Sequence, residues 1–300
     1  MRRQILPVVA VALVAPLCAL GAQQNFDTVT VRSQRVAEGI YMLIGAGGNI
    51  GVATGPDATY IIDDQYAPLT QKIEAAVRSV TGQPVKFVLN THLHGDHTGG
   101  NENFGGRGLI IYAHDNVRTR MSKDQVIEQL KQTVPASPAA ALPTVTFSDS
   151  MTLHFNGETV VVFHVAKAHT DGDAMMHFRN ANVVHTGDVF IRGGFPFVDR
   201  SSGGTFRGII AATEKLLAAT DANTKYIPGH GALSDRTDVE RYLKLLKTVR
   251  DRISAQIKLK KTVEQVEAAD LLADLDPAAG KGFINGRALS RLVYMELTGK

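Results

Sequence analysis

The sequence predicts an α/β fold in which two β-sheets pack face to face with helices on the outside. Two observations carry this. Runs of short apolar strands give way to helical spacing twice along the chain, and a strand, helix and strand follow one another over residues 60–89. The composition agrees: 300 residues with 44% hydrophobic and 20% charged side chains suffice for a sizeable core. No short-period repeat, low-complexity tract or heptad pattern interrupts residues 23–300, which read as one domain with a helical C-terminal tail.

In chain order, strands are expected at 28–36, 40–44, 50–53 and 60–62, separated by polar or glycine-rich turns. Residues 68–80 have helical spacing, with Ile73, Ala76, Val77 and Val80 on one face, and a buried strand follows at 85–89. A charged helix is expected over 117–130, leading into a surface excursion whose prolines at 135, 138 and 143 end any helix. Strands resume at 144–147, 151–155, 159–165, 174–179 and 181–185, with Asn156-Gly157 as a hairpin signal. A helix at 208–217 and a short strand at 225–227 precede the tail, which is helical from Asp238 with breaks at Pro277 and Gly280 to Gly282.

The first 22 residues are of another kind. Arg2 and Arg3 precede an apolar run over 5–20, and small residues close it at Gly21 and Ala22, the pattern of a cleaved signal peptide. The run is short for a bilayer and contains Pro7 and Pro16, so no membrane association is expected after cleavage, and the location is periplasmic or secreted. Cys18, the single cysteine, lies inside this segment. The mature chain therefore has no thiol, which excludes disulfides, thiolate metal ligands and a cysteine nucleophile. The formal net charge of +3 falls by two with Arg2 and Arg3, and no basic run follows, so nucleic acid is not an expected partner.

Chemistry concentrates just after the strand at 85–89, in Asn90-Thr91-His92-Leu93-His94-Gly95-Asp96-His97-Thr98-Gly99-Gly100. In extended backbone His92 and His94 project to the same side. Gly95 permits a turn that brings Asp96 and His97 beside them. Four nitrogen and oxygen donors within six residues outline a metal site, and imidazole with carboxylate suits zinc. The remaining histidines, His114, His154, His164, His177 and His185, are expected to be structural. His185 and Asp63 are the two with a possible role in orienting a ligand.

The run His92-x-His94-x-Asp96-His97, followed by Gly99-Gly100, resembles the signature of the metallo-β-lactamase superfamily. Later landmarks resemble it in the expected order: Ala168-His169-Thr170-Asp171-Gly172-Asp173, His185-Thr186-Gly187-Asp188 and Pro228-Gly229-His230-Gly231, with Tyr60-Ile61-Ile62-Asp63 upstream. The resemblance spans roughly residues 36 to 232 and implies a four-layer αββα sandwich. It also implies two zinc ions, with iron or manganese as other occupants. His92, His94 and His169 would hold one, Asp96, His97 and His230 the other, and Asp188 would bridge them. A hydroxide between the metals would attack a substrate carbonyl, with Asp96, His169 and Asp188 as the catalytic residues.

Five histidines and two aspartates resemble the glyoxalase II type of site more than the cysteine-containing β-lactamase type. The implied activity is hydrolysis of a small acyl substrate: a β-lactam, ester, lactone or thioester. The alternatives are iron-dependent persulfide or oxygen chemistry, and a non-catalytic metal-binding partner of an exported redox system. Candidate pocket loops are 45–51, 117–143 and 192–197. Within the last, Phe195, Pro196 and Phe197 are expected as an apolar wall, and Arg192 as the partner of a substrate carboxylate. Neither oligomeric state nor substrate identity is legible.

Overall fold

A computed structural model describes residues 25–275 and 282–300. The expected signal segment with Cys18, and the tail breaks at Pro277 and Gly280, lie outside the described residues. Along the chain come β1 (Arg32–Ala37), β2 (Ile40–Ile44), β3 (Ile50–Ala53), β4 (Thr59–Ile62), α1 (Thr70–Thr81), β5 (Val85–Leu89), α2 (Gly95–Thr98) and α3 (Asn101–Gly105). Then follow β6 (Ile110–His114), α4 (Asp115–Met121), β7 (Gln125–Ile127), β8 (Gln132–Val134), β9 (Val145–Phe147), β10 (Ser150–Phe155), β11 (Glu158–His164), β12 (Ala174–Phe178) and β13 (Val183–His185). The remainder comprises α5 (Phe206–Ala218), β14 (Lys225–Ile227), α6 (Arg236–Lys258), α7 (Val263–Ala268) and α8 (Gly286–Thr298).

Two sheets form the centre. The first has the order β1-β2-β3-β4-β5-β6-β9, antiparallel as far as β4 and parallel from there. The second has the order β10-β11-β12-β13-β14, with only the last pair parallel. Their inner faces meet in a core that joins Tyr60 and Phe87 of the first sheet to Val160, Met176 and Ile227 of the second. Tyr60 and Phe87 stack there at 4.5 Å. Outside the first sheet, Ile73 and Val77 of α1 cover Ile61, Val88 and Ile111. Outside the second, α5, α6 and α8 bury Ile209, Leu246 and Leu292 against Met175 and Val184. The result is the four-layer αββα sandwich.

Two elements depart from the sequence reading. β1 begins at Arg32 because the chain before it folds otherwise: Asn25 caps a single turn of 3-10 helix, and the Lys72 ammonium takes the carbonyls of Phe26, Asp27 and Val29. The helix expected over 117–130 stops at Met121. The Gln125 side-chain amide donates to the Arg120 carbonyl and closes the turn, after which the β-branched pair Val126-Ile127 enters the hairpin β7–β8. Among the described residues, no helix is long and apolar enough to cross a membrane.

Candidate metal centre

The ends of parallel strands supply most of the site. The β5 exit carries His92, His94, Asp96 and His97, the β13 exit carries Asp188, and the β14 exit carries His230. His169 comes from the loop between β11 and β12. All seven side chains expected from the sequence converge. Three sets of donor atoms each lie within 4.8 Å of one another: His92, His94 and His169; His92, His97 and Asp188; and Asp96, His97 and His230. Asp188 lies between the first and last sets, its carboxylate oxygens 3.2 Å from His97 Nε2, 3.4 Å from His230 Nε2 and 3.7 Å from His169 Nε2.

Each of four rings is held from outside by its other nitrogen, and this fixes where its lone pair points. Thr91 Oγ1 donates to Asp63 Oδ2 at 2.8 Å, so at 2.9 Å from His92 Nδ1 it must accept, leaving His92 Nε2 bare. His169 Nδ1 donates to the Phe197 carbonyl at 2.8 Å, which leaves Nε2 bare. His94 Nε2 donates to Asp199 at 3.1 Å, leaving Nδ1, and His97 Nδ1 donates to Asp63 at 2.7 Å, leaving Nε2. His94 Nδ1 and His169 Nε2, both in their lone-pair form, then face each other at 2.9 Å. Two lone pairs at that distance repel unless a cation lies against them. His92 Nε2 is, moreover, buried with no hydrogen-bond partner, a costly state for a polar atom that no ligand engages. The donor set fits metal coordination.

The electrostatics agree. Burial, together with neighbouring imidazoles, pushes His92 well below the ordinary histidine value, and burial lowers His169 to about 4. Both are therefore neutral, the form that coordinates metal. Burial also opposes charge on His97, yet Asp188, Asp96 and Asp63 raise it well above the ordinary value. Asp188 raises His230 to about 10. Burial would raise Asp96 and Asp188 as well, but the imidazoles around them hold Asp96 down at about 2 and Asp188 well below the carboxylate range. The carboxylates thus draw positive charge into the cluster.

Close backbone approach makes room for it. A Cβ on Gly48 would collide with the His97 ring, and one on Gly229 with Asp188. Asp63 adopts φ 64° at the end of β4, from where its carboxylate takes the Thr91 amide and hydroxyl and the His97 ring together. His185 is buried, with Nε2 3.2 Å from the Asn49 carbonyl, so it ties the two sheets together and holds none of the cluster rings.

The two substrate-facing expectations are corrected. Arg192 turns to its own fold: its guanidinium donates to the Leu233 carbonyl at 2.8 Å and lies 3.3 Å from Asp238. Phe195 is 2% exposed and packs in the core under Leu272 and Gly286. The loop follows no strand alternation, and it is Phe197 that faces the site, its ring 5.8 Å from those of both His94 and His169. Sequence reasoning missed three supports. Asp199 holds His94. Asp173 accepts the His169 and Thr170 amides and is pushed up to about 7, mainly by burial. Asn49 donates to the Pro228 and Gly231 carbonyls and fixes the His230 loop. Asp173 stood inside the motif around His169; Asp199 and Asn49 carried no signal.

A family model described as the metallo-β-lactamase superfamily matches residues 41–249, more than half of the chain. The chain belongs to this superfamily. Solved structures of similar fold include a metallo-β-lactamase from Pontibacter korlensis, at 16% identity and TM-score 0.60, covering 73% of this chain and 99% of that one. DIM-1 metallo-β-lactamase is similar at 19% identity and TM-score 0.58, with 73% and 99% covered. The metallo-β-lactamase IND-7 is similar at 17% identity and TM-score 0.59, with 74% and 100% covered. At such identities the likeness is one of fold. No curated protein matches the chain. The cluster lies where strand ends from both sheets meet.

Proposed function

We propose that the chain is an exported, metal-dependent hydrolase that cleaves a small acyl substrate with two divalent cations, zinc foremost. The observation that supports it most is the inward set of imidazole lone pairs, with His94 Nδ1 and His169 Nε2 at 2.9 Å, each fixed by an outer partner. His92, His94 and His169 would hold one cation, Asp96, His97 and His230 the other, with Asp188 shared. Cations there supply a water acidified to a pKa of about 7 and polarise a carbonyl.

The chain's own residues do the rest. Asp63, Asp199 and the Phe197 carbonyl keep the rings in their coordinating tautomers. Asp188 places negative charge between the two halves, where a cysteine-containing site would place a thiolate. His230, with its side chain 38% exposed, and Asp96, at 25%, leave the substrate an open approach on the second side. A carboxylate shared between both halves suits attack on many carbonyls, so esters, lactones and thioesters are substrates alongside β-lactams, which are expected to turn over weakly. Arg2, Arg3 and the apolar run over 5–20 support export, with mature protein beginning near Gln23.

Metal analysis of mature protein should find about two equivalents per chain. A panel of a carbapenem, a cephalosporin, a thioester and a lactone, with His94→Ala as the blank, should show metal-dependent hydrolysis of at least one. Hydrolysis of none overturns the proposal, and one tightly held iron without zinc moves it toward oxygen chemistry.

A further inference from the structure

Beside the cluster, an apolar surface runs outward from the ligand rings. The Phe197 ring lies against His94 and His169 and is itself only partly buried. Phe283 stands edge-on to it at 5.7 Å and 81°. It comes from the loop that leads into α8, so the helical tail reaches back over the mouth of the site. At 74% exposure Phe283 is the most exposed large apolar side chain among the described residues. The other phenylalanines that pack near the site, Phe190, Phe195 and Phe206, are all within 2% of complete burial. An aromatic ring kept in water at the edge of a catalytic cleft, and continuous with its ligands, has the character of a binding surface.

Charge sharpens the reading. Arg192 is engaged by Asp238 and the Leu233 carbonyl, and Arg200 gives its guanidinium to the Lys300 carbonyl. Both arginines of this loop thus point part of their donor fork at the chain itself, and among the described residues no contact brings either onto the two rings.

Resting on the hydrolase reading above, we propose that Phe197 and Phe283 form an apolar shelf that seats an uncharged hydrophobic acyl group of the substrate, beside His94 and His169. Phe283 is a specificity-determining residue, and it acts on chain length. The preferred substrates are then neutral esters, thioesters or lactones with an alkyl or aryl acyl arm, ahead of carboxylate-bearing lactams.

The test uses zinc-loaded full-length mature protein and two series that differ only in acyl length, from acetyl to hexanoyl. Alkyl hydroxamates report binding by calorimetry, and p-nitrophenyl esters report kcat/KM. Affinity and kcat/KM should rise about two- to fourfold per methylene, the upper figure for a methylene wholly removed from water. Phe283→Ser should flatten both slopes, its loss growing with acyl length. Leu259→Ser, which removes another exposed apolar side chain on the surface, should keep the slopes. A flat dependence in the wild type, or an unchanged slope in Phe283→Ser, overturns the shelf even where the acetyl ester is hydrolysed. Length-dependent hydroxamate binding without hydrolysis of any ester, thioester, lactone or lactam keeps the shelf and overturns the hydrolase. Binding of no hydroxamate together with hydrolysis of no acyl substrate overturns both.

Discussion

The two halves of the cluster use the same imidazole group in opposite electrostatic settings. His92, His94 and His169 pack edge to face at 4.6 to 4.9 Å, with no carboxylate among their mutual donors. At His92 and His169 burial dominates and favours the neutral ring. His97 and His230 share their half with Asp96 and stand close to Asp188, and carboxylates raise both. His92 and His169 therefore offer neutral donors in a dry setting. The second half offers charge, and its His230 is partly in water. A residue type does not define a ligand; the partner on its far nitrogen and the charge beside it do.

Asp188 faces His169 of the first half and His97 and His230 of the second, and its removal should have the largest effect. Asp188→Ala is expected to release both metal equivalents and to lower hydrolysis beyond the roughly 100-fold that outer partners command. His230→Ala should keep one equivalent. Elemental analysis after gel filtration reads this directly, and one full equivalent retained in Asp188→Ala would mean that the halves do not share it.

Outer partners come next, and they separate the halves. Asp63→Asn should weaken the second half through His97, about 10- to 100-fold in metal affinity. It should also disturb His92 through Thr91, which Asp63 holds at 2.7 and 2.8 Å. Asp199→Asn should act on the first half alone, through His94, and at the lower end of that range, because an amide oxygen still accepts from His94 Nε2. Stepwise chelator titration that shows both variants losing the same equivalent would break the comparison.

Legibility in the sequence cuts across these halves. His92, His94, Asp96 and His97 fall within six residues at the end of a strand, so backbone geometry alone brings them together. His169, Asp188 and His230 sit on three separate loops, and no spacing unites them; only the likeness of their motifs to a known family placed them. Asp199 was invisible because its partner His94 is 105 positions away. Phe195 and Phe197 differ by two positions in a loop without regular alternation, so nothing local told which ring enters the core. In the segment over 117–130, charge and spacing suited a helix. The turn that ends α4 depends on one Gln125 side chain closing on Arg120, which periodicity does not register.

The smallest expected effect tests how far the first half depends on the tail. Glu296 of α8, 8% exposed, accepts the amides of Phe206 at 2.6 Å and Arg207 at 3.0 Å, and so caps α5 with an anion at its positive end. The exposed Arg207 guanidinium adds little to that carboxylate. Directly before α5 runs the loop that carries Asp199, itself tied down by the Ser202 and Gly204 amides. Glu296→Gln removes the charge and turns one acceptor into a donor facing an N–H, which should cost about 1–2 kcal/mol of stability. If the cap also steadies Asp199, metal affinity in the first half should fall by less than about tenfold, below the range for a direct outer partner, while the second half stays unchanged. Thermal unfolding and chelator titration on the same samples separate the two effects. A lowered Tm with both affinities intact would show that the turn around Asp199 holds His94 without help from the tail.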